Sequence, residues 1–174
     1  MTLNISEAMA QELYLIRHAH AKEKSFDQKD IFRTLSTDGV RMASKLGLYF
    51  AQKGIIPDII ISSPADRAIS TAMLVAEQLK YDVDEIHSND ELYEASVRTF
   101  LQVINFLKDE WGKVFIVGHN PVISYFAEYI SNSEINSMSP GAVVKIVHSL
   151  SGWNEVSEHN CEFASYFDPE TRNM

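Results

Sequence analysis

The chain has 174 residues, with 24 acidic side chains against 15 basic ones, which gives a formal charge of −9 at pH 7. This length predicts one domain whose core needs no disulfide or structural metal. Apolar residues make up 45% of the chain and charged residues 22%, a globular composition that excludes intrinsic disorder. The acidic balance excludes non-specific binding to nucleic acid or an anionic membrane, since both need a cationic surface. It still allows a local cationic pocket.

The cysteine content and the amino-terminal residues bear on the cellular compartment of the protein. Cys161 is the only cysteine, which excludes an intramolecular disulfide and cysteine-only metal sites and agrees with a cytoplasmic protein. Residues 1–11 contain no Lys or Arg and so lack the basic start of a secretion signal. No apolar run approaches the roughly 20 residues that a membrane helix needs. We expect residues 1–12 to be a polar leader and residues 13–170 to form the single domain.

Strand-like and helix-like segments alternate along the chain. After a first short apolar run, a polar loop covers 21–33, and Gly54 suits the end of the helix that follows. In chain order we predict strands at 13–16, 59–61, 83–87, 113–117, 142–148 and 162–167. We predict helices that begin at Ser36, Ser63–Pro64, Ser96 and Pro121. This alternation predicts an α/β fold, a three-layer αβα sandwich with a mostly parallel central sheet and helices on both faces.

Basic and imidazole side chains follow the predicted parallel strands. Arg17 and His18 follow the first strand, Arg67 lies in the first turn of the helix after the second strand, and His119 follows the fourth. Ligands of such sheets bind outside the carboxyl ends of the strands, so these residues should meet at one edge. Arg33 ends the first loop, from which it can fold over the same edge.

This set of side chains is suited to phosphoryl transfer. Arginine forks bind phosphate oxygens bidentately and stay charged at any working pH. Histidine can attack phosphorus and carry a covalent phosphoryl group. Because charge stays on the equatorial oxygens during transfer, positioning and fixed positive charge do most of the catalysis. The helix amino end after Ser63 adds free N–H groups.

Four motifs occur in order between residues 15 and 121. Together they resemble the signature of the histidine phosphatase superfamily, which has the phosphoglycerate mutase-like fold. In this family a glycine usually follows the first histidine, where this chain has Ala19. The short length, without a large insertion before the second histidine, resembles the SixA-type phosphohistidine phosphatases. The motifs are Leu15–Ala19, Arg33–Gly39, Ser62–Ala72 and Val117–Pro121.

The resemblance implies a metal-independent phosphatase without a cofactor, acting on phosphohistidine in a protein. His18 would be the nucleophile that is transiently phosphorylated, while Arg17, Arg67 and His119 would hold the phosphoryl oxygens. Arg33 and Asn120 are the expected substrate-binding residues. We expect phosphate or sulfate to bind in the pocket, and neither nucleic acid nor a membrane to be a partner.

A general acid is harder to assign. Many members of the family protonate the leaving group with a carboxylate after the third strand, where this chain has Glu91 and Glu94. We take Glu91 as the candidate of the two. A phosphohistidine substrate needs less help, because its P–N bond is labile and protonated imidazole leaves readily.

Three other interpretations stay open. The same site could act on small phosphate esters as a phosphatase or mutase. It could instead be a non-catalytic phosphoryl carrier or phosphoprotein-binding module. His18 and His20 have the spacing of some metal-ligand pairs, which would suit a metal hydrolase, although no carboxylate-rich motif completes such a site. Otherwise His20 is a loop residue near the pocket.

Overall fold

The computed structural model describes residues 10–171, and its centre is one six-stranded sheet. The order across the sheet is β3-β2-β4-β1-β5-β6, in which the first four strands run parallel. β5 is antiparallel to β1, and β6 is antiparallel to β5. The predicted mostly parallel sheet is therefore confirmed. The strands are β1 (Gln11–Arg17), β2 (Ile59–Ser62), β3 (His87–Ser88), β4 (Lys113–Gly118), β5 (Val143–His148) and β6 (Glu162–Phe167).

Four helices cover the two faces of this sheet and complete the predicted three-layer sandwich. They are α1 (Thr37–Gln52), α2 (Asp66–Leu79), α3 (Val97–Asn105) and α4 (Val122–Ser131). Side chains alternate along a strand, so β1 contributes to both cores. Tyr14 and Ile16 pack with α1 and α2, whereas Leu13 and Leu15 pack with α3 and α4. None of the helices within 10–171 is long and apolar enough to cross a membrane.

The predicted helix starts are confirmed at α1 and α3 but wrong at α2. Ser36 and Ser96 are N-caps whose hydroxyls accept hydrogen bonds from backbone N–H groups of the first turn. Ser63 does not cap α2, which begins at Asp66 with Ala65 as its N-cap. The Ser63 hydroxyl instead contacts a histidine ring of the next strand end.

Two further boundaries differ from the prediction. The third strand consists of His87–Ser88 alone, because residues 83–85 form a turn of 3-10 helix. At the amino end, β1 begins at Gln11, so Gln11 and Glu12 belong to the sheet; Glu12 forms an ion pair of 2.7 Å with Lys145 of β5. Residues 1–9 of the predicted leader lie outside the described residues.

The strand register brings three chain segments to the same level of the sheet edge. Arg17 is opposite Gly118, and Ser62 is opposite Val117. The backbone ladder continues one residue further, because the N–H of His18 donates to Gly118 O and that of Ser63 donates to Val117 O, both at 3.0 Å. Whatever follows β1, β2 and β4 in the sequence therefore lies side by side.

Candidate active site

A cavity of about 320 Å³ lies next to these strand ends. The structure brings together in its wall two histidines and three arginines that were predicted from the sequence. The lining residues are Arg17, His18, His20, Ala21, Arg33, Arg67, His119, Asn120 and Pro140. The cavity is therefore a concave site with a concentration of fixed positive charge.

The tautomer of His18 is determined by its backbone neighbour. The side chain is buried, and Nδ1 lies 2.8 Å from the carbonyl oxygen of Ala19. Because a carbonyl oxygen can only accept, Nδ1 carries the proton and Nε2 keeps its lone pair. Arg67 donates from Nε to this Nε2 at 3.3 Å, which agrees with the same assignment. His18 is thus neutral, with the lone pair of Nε2 accepting a hydrogen bond from a cation.

Arg67 is buried at the first turn of α2, and Asp30 binds the far end of its guanidinium. One terminal nitrogen donates to Asp30 O and the other to Asp30 Oδ2, both at 2.8 Å. Asp30 lies in a 3-10 turn (Asp30–Phe32) within the first loop. Thr71, one turn further along α2, accepts a hydrogen bond from the N–H of Ala19 and donates to Arg67 O. Arg67 is therefore held from both its side chain and its backbone.

His119 faces His18 across the site, with the two ring centres 5.1 Å apart. Its Nε2 lies 2.7 Å from the hydroxyl oxygen of Ser63. Its Nδ1 is buried and has no hydrogen-bond partner among residues 10–171. The edge of the Tyr93 ring approaches His119 with a centre-to-centre distance of 5.9 Å. His119 therefore lines the cavity with one ring nitrogen at Ser63 and the other without a protein partner among the described residues.

Burial and neighbouring cations keep both imidazoles neutral at pH 7. Burial lowers the pKa of His18 to about 4, and Arg67 adds to this effect. Burial also lowers the pKa of His119 to about 3, with further contributions from His18 and Arg67. For Asp30, burial alone would raise the pKa, but Arg67, the Tyr93 hydroxyl and Arg33 together outweigh it and the pKa is lowered. The carboxylate is therefore ionised.

Arg17 reaches the cavity from the end of β1. One of its terminal nitrogens donates to Met138 O, and its Nε is buried without a partner in the described part of the chain. The backbone here is held by Gly141, whose N–H is shared between the carbonyl oxygens of Arg17 and His18, at 3.1 Å each. Gly141 has φ of +72°, a conformation that favours glycine.

Arg33 and Asn120 also line the cavity, and each has a protein partner. Arg33 Nε lies 3.3 Å from Asp30 Oδ1, an ion pair without hydrogen-bond geometry. The Asn120 amide nitrogen donates to Met138 O at 2.9 Å, and its oxygen accepts from Ser124 at 2.8 Å. These contacts place both residues at the site, and their substrate-binding role stays a prediction.

The two glutamates considered as acids lie elsewhere. Glu91 is exposed and lines a different cavity, together with His87 and Phe106, and Glu94 is exposed and lines neither cavity. Glu91 lies in a 3-10 turn capped by Asn89, whose side chain accepts from Glu91 N at 2.9 Å. A role for Glu91 as general acid therefore stays a prediction that this placement does not support.

His20 is exposed at the rim of the cavity. Its Nδ1 lies 3.0 Å from the hydroxyl oxygen of Ser36, the cap of α1. Among residues 10–171, no group of three or more His, Cys, Asp or Glu side chains is placed to hold a metal ion.

The sequence prediction missed residues that organise the site. Asp30 had a signal, because an acid three residues before Arg33 can form a local ion pair. Tyr93, whose hydroxyl donates to Asp30 Oδ2 at 3.1 Å, had none, since the contact joins segments 63 residues apart. Ser63 is predicted from the sequence as a helix cap, whereas in the structure its hydroxyl contacts His119.

Comparisons with known proteins agree with this geometry. The model for the histidine phosphatase superfamily (branch 1) matches residues 13–103, just over half of the chain. No curated protein matches the chain in sequence.

Solved structures share the fold over nearly the whole chain. A protein from Agrobacterium tumefaciens, provisionally named phosphohistidine phosphatase SixA, is 23% identical with a TM-score of 0.78, covering 91% of this chain and 98% of its own. A protein histidine phosphatase SixA complexed with tungstate is 18% identical, with a TM-score of 0.78 and coverage of 92% and 99%. A mycobacterial glucosyl-3-phosphoglycerate phosphatase with inorganic phosphate is 14% identical, with a TM-score of 0.65 and coverage of 89% and 96%.

Proposed function

The chain belongs to the histidine phosphatase superfamily and is a phosphatase, and we propose that its substrate is phosphohistidine carried by a protein. The reaction would proceed through a covalent phosphoryl group on His18 and would need no metal ion. The observation that carries the proposal is the His18 tautomer: Nδ1 is bound to Ala19 O, and the lone pair of Nε2 lies in a cationic cavity. Two relatives crystallised with tungstate or phosphate support an oxyanion in such a site.

In the first step, the hydrogen bond from Arg67 Nε to His18 Nε2 opens, and the lone pair of Nε2 attacks the phosphorus atom to form a new P–N bond. The P–N bond to the substrate imidazole breaks, and its electron pair stays on the leaving nitrogen. The other ring nitrogen of the substrate carries a proton, so the ring leaves as neutral imidazole. The phosphorylated His18 ring then carries a positive charge, which the Ala19 carbonyl stabilises through the Nδ1 proton. Arg17, Arg67 and His119 line the cavity and would hold the equatorial oxygens.

In the second step, water attacks phosphorus from the side opposite His18. The P–N bond to Nε2 breaks, its electron pair returns to Nε2, and the proton of the water passes to the released phosphate. His18 regains the neutral tautomer of the free protein. The charge of the transferred group stays negative throughout, so the fixed arginines stabilise both steps.

The absence of a neutral carboxylic acid favours a phosphohistidine substrate. Among the described residues, no Asp or Glu lines the cavity, and the nearby Asp30 is ionised because Arg67 lowers its pKa against the effect of burial. An alcohol leaving group needs a proton donor because its alkoxide is a strong base. A phosphohistidine ring that is protonated on its other nitrogen leaves as neutral imidazole. This is a weak base, with a conjugate-acid pKa of about 6.5, so the leaving nitrogen needs no proton donor.

The test is hydrolysis of a histidine-phosphorylated protein by the wild type and by His18→Ala. We expect the variant to lose several orders of magnitude in rate. A short-lived phosphoenzyme should be trapped in the wild type only. His159→Ala, at an exposed histidine, is the matched control and should keep wild-type activity. Full activity in His18→Ala would refute the proposal, and a stable phosphoenzyme that releases no phosphate would identify a phosphoryl carrier.

Glu91→Gln separates this proposal from a phosphate esterase. Because Glu91 lines another cavity, we expect its loss to leave phosphohistidine turnover within about twofold of wild type. Alkyl phosphates should be poor substrates of both proteins. Efficient ester turnover that disappears in Glu91→Gln would instead establish the ester interpretation.

A further inference from the structure

The contacts of Arg67 divide its guanidinium into two edges. Both terminal nitrogens donate to Asp30, one to the backbone oxygen and one to the carboxylate. Nε donates to His18 Nε2. The N–H groups of a guanidinium are fixed in one plane, so fixing the two terminal nitrogens also fixes the direction of Nε. The side edge, with Nε and one N–H of a terminal nitrogen, is therefore left for His18 and its ligand.

The Asp30 carboxylate contacts two residues in addition to Arg67. Its carboxylate lies 3.3 Å from Arg33 Nε and accepts a hydrogen bond of 3.1 Å from the Tyr93 hydroxyl. Asp30 itself does not line the cavity, whereas Arg33 and Arg67 both do. The carboxylate therefore lies behind the cations, outside the space that a phosphoryl group would occupy.

We propose that Asp30 is a positioning residue: it binds Arg67 end-on and so directs the remaining edge of the guanidinium at His18 Nε2, where the phosphoryl group is transferred. This inference rests on the proposed function. Asp30 touches neither substrate nor phosphorus and acts through Arg67, with Arg33 held as a second partner. The effect is one of orientation, since Arg67 is charged with or without Asp30.

Removal of Asp30 has two opposite effects on phosphate binding, so the sign of the measured change tests the proposal. Removing the negative charge of Asp30 would by itself favour a bound anion, because one repulsive charge near the site is gone. Losing the end-on contact frees the guanidinium and weakens its hold on phosphate. We expect orientation to dominate, because charge-assisted hydrogen bonds are strongly directional and Arg67 would lose two of its three contacts.

The experiment compares Asp30→Ala with the wild type in turnover of p-nitrophenyl phosphate and in the dissociation constant of inorganic phosphate. We expect kcat/KM to fall by about 10- to 100-fold, with phosphate binding weakened in the same direction. Asp30→Glu, which restores a carboxylate, should recover part of the loss. Asp27→Ala removes an exposed carboxylate from the same loop and should stay within about twofold of wild type.

A double-mutant cycle separates positioning from a general structural role. In an Arg67→Ala background, Asp30→Ala should change phosphate binding by less than about threefold, because the residue it positions is gone. An equal loss in both backgrounds would overturn the proposal, as would wild-type values or tighter phosphate binding in Asp30→Ala. If Asp30→Ala does not fold, Asp30→Asn takes its place in the cycle. Inactivity of the wild type on every phosphorylated substrate would refute the proposed function but not the positioning role of Asp30. The phosphate dissociation constants test that role independently.

Discussion

Two buried imidazoles face each other at the ends of β1 and β4, and both are neutral at pH 7. Burial, with Arg67 adding to it, lowers the pKa of His18 to about 4; burial, with His18 and Arg67, lowers that of His119 to about 3. In the unfolded chain both would titrate near 6.5. Between these values the unfolded state binds protons that the folded state does not.

The free energy of unfolding should therefore fall as the pH drops below about 6.5. Above that value the contribution of the two histidines to stability should be fully present. For His18 alone the loss at about pH 5 is about 2 kcal/mol, from a gap of roughly 1.5 pH units. Urea unfolding in buffers without phosphate or sulfate measures it. His119→Gln should flatten the dependence, and His159→Gln, at an exposed position, should not. An equal slope in wild type and His119→Gln would contradict the prediction.

The residues that could be predicted from sequence are those whose position depends on strand ends. Arg17 ends β1, and His18 and His119 directly follow β1 and β4, so the register determines where they meet. Asp30 and Tyr93 could not be placed in this way. Their contact joins a polar loop to a 3-10 turn 63 residues away, and no periodic pattern describes either segment.

At the scale of elements, α1 packs unusually close to the segment after β1. A Cβ built on Gly39, in the first turn of α1, would lie 2.0 Å from the backbone oxygen of His20. The approach is stabilised by Ser36, whose N–H and hydroxyl both donate to that same oxygen. The helix start therefore holds the rim of the cavity through backbone contacts.

Gly39→Ala should destabilise the fold, because backbone rather than a flexible side chain blocks the added methyl group. We expect a loss of about 1–3 kcal/mol in the free energy of unfolding, accompanied by lower activity. Gly112→Ala is the matched control, since its Cβ would meet only the Asp58 carboxylate at 3.7 Å, an ordinary contact. Denaturant unfolding measures both. Equal stability of the two variants would contradict the prediction.

Element boundaries show why a correct fold prediction still missed details. Ser63–Pro64 is a good helix start by local rules, but α2 begins at Asp66. The hydroxyl of Ser63 is used by His119, a tertiary contact between residues 56 apart. The third strand is short for a local reason, because Asp84 and Glu85 disfavour a strand and residues 83–85 form a 3-10 turn before it.

At the scale of the whole molecule, a cationic cavity lies in a chain with a formal charge of −9. The two charge distributions act over different distances. Charges on the acidic surface and on an acidic protein partner are separated by more than about 8–10 Å, the Debye length near physiological salt, so added salt weakens their repulsion. Partly buried contacts inside the cavity are screened much less.

For a histidine-phosphorylated protein of net negative charge, KM should therefore fall as NaCl rises from about 10 mM to about 150 mM. The KM of p-nitrophenyl phosphate, a small substrate that meets less of the surface, should change less over the same range. Steady-state kinetics at constant pH measures both. A KM for the protein substrate that rises with salt would show that attraction between the two surfaces dominates instead.

The place of β4 between β1 and β2 also bears on how the chain folds. In the sheet these two strands, early in the sequence, are separated by the width of one strand, which only residues 113–118 fill. As the chain is synthesised, neither β1 nor β2 can pair with its native neighbour at this gap until β4 has been made. The strand that closes the gap is followed by His119. Closure of this gap and arrival of the second imidazole are thus one event, and a folding intermediate without β4 has neither.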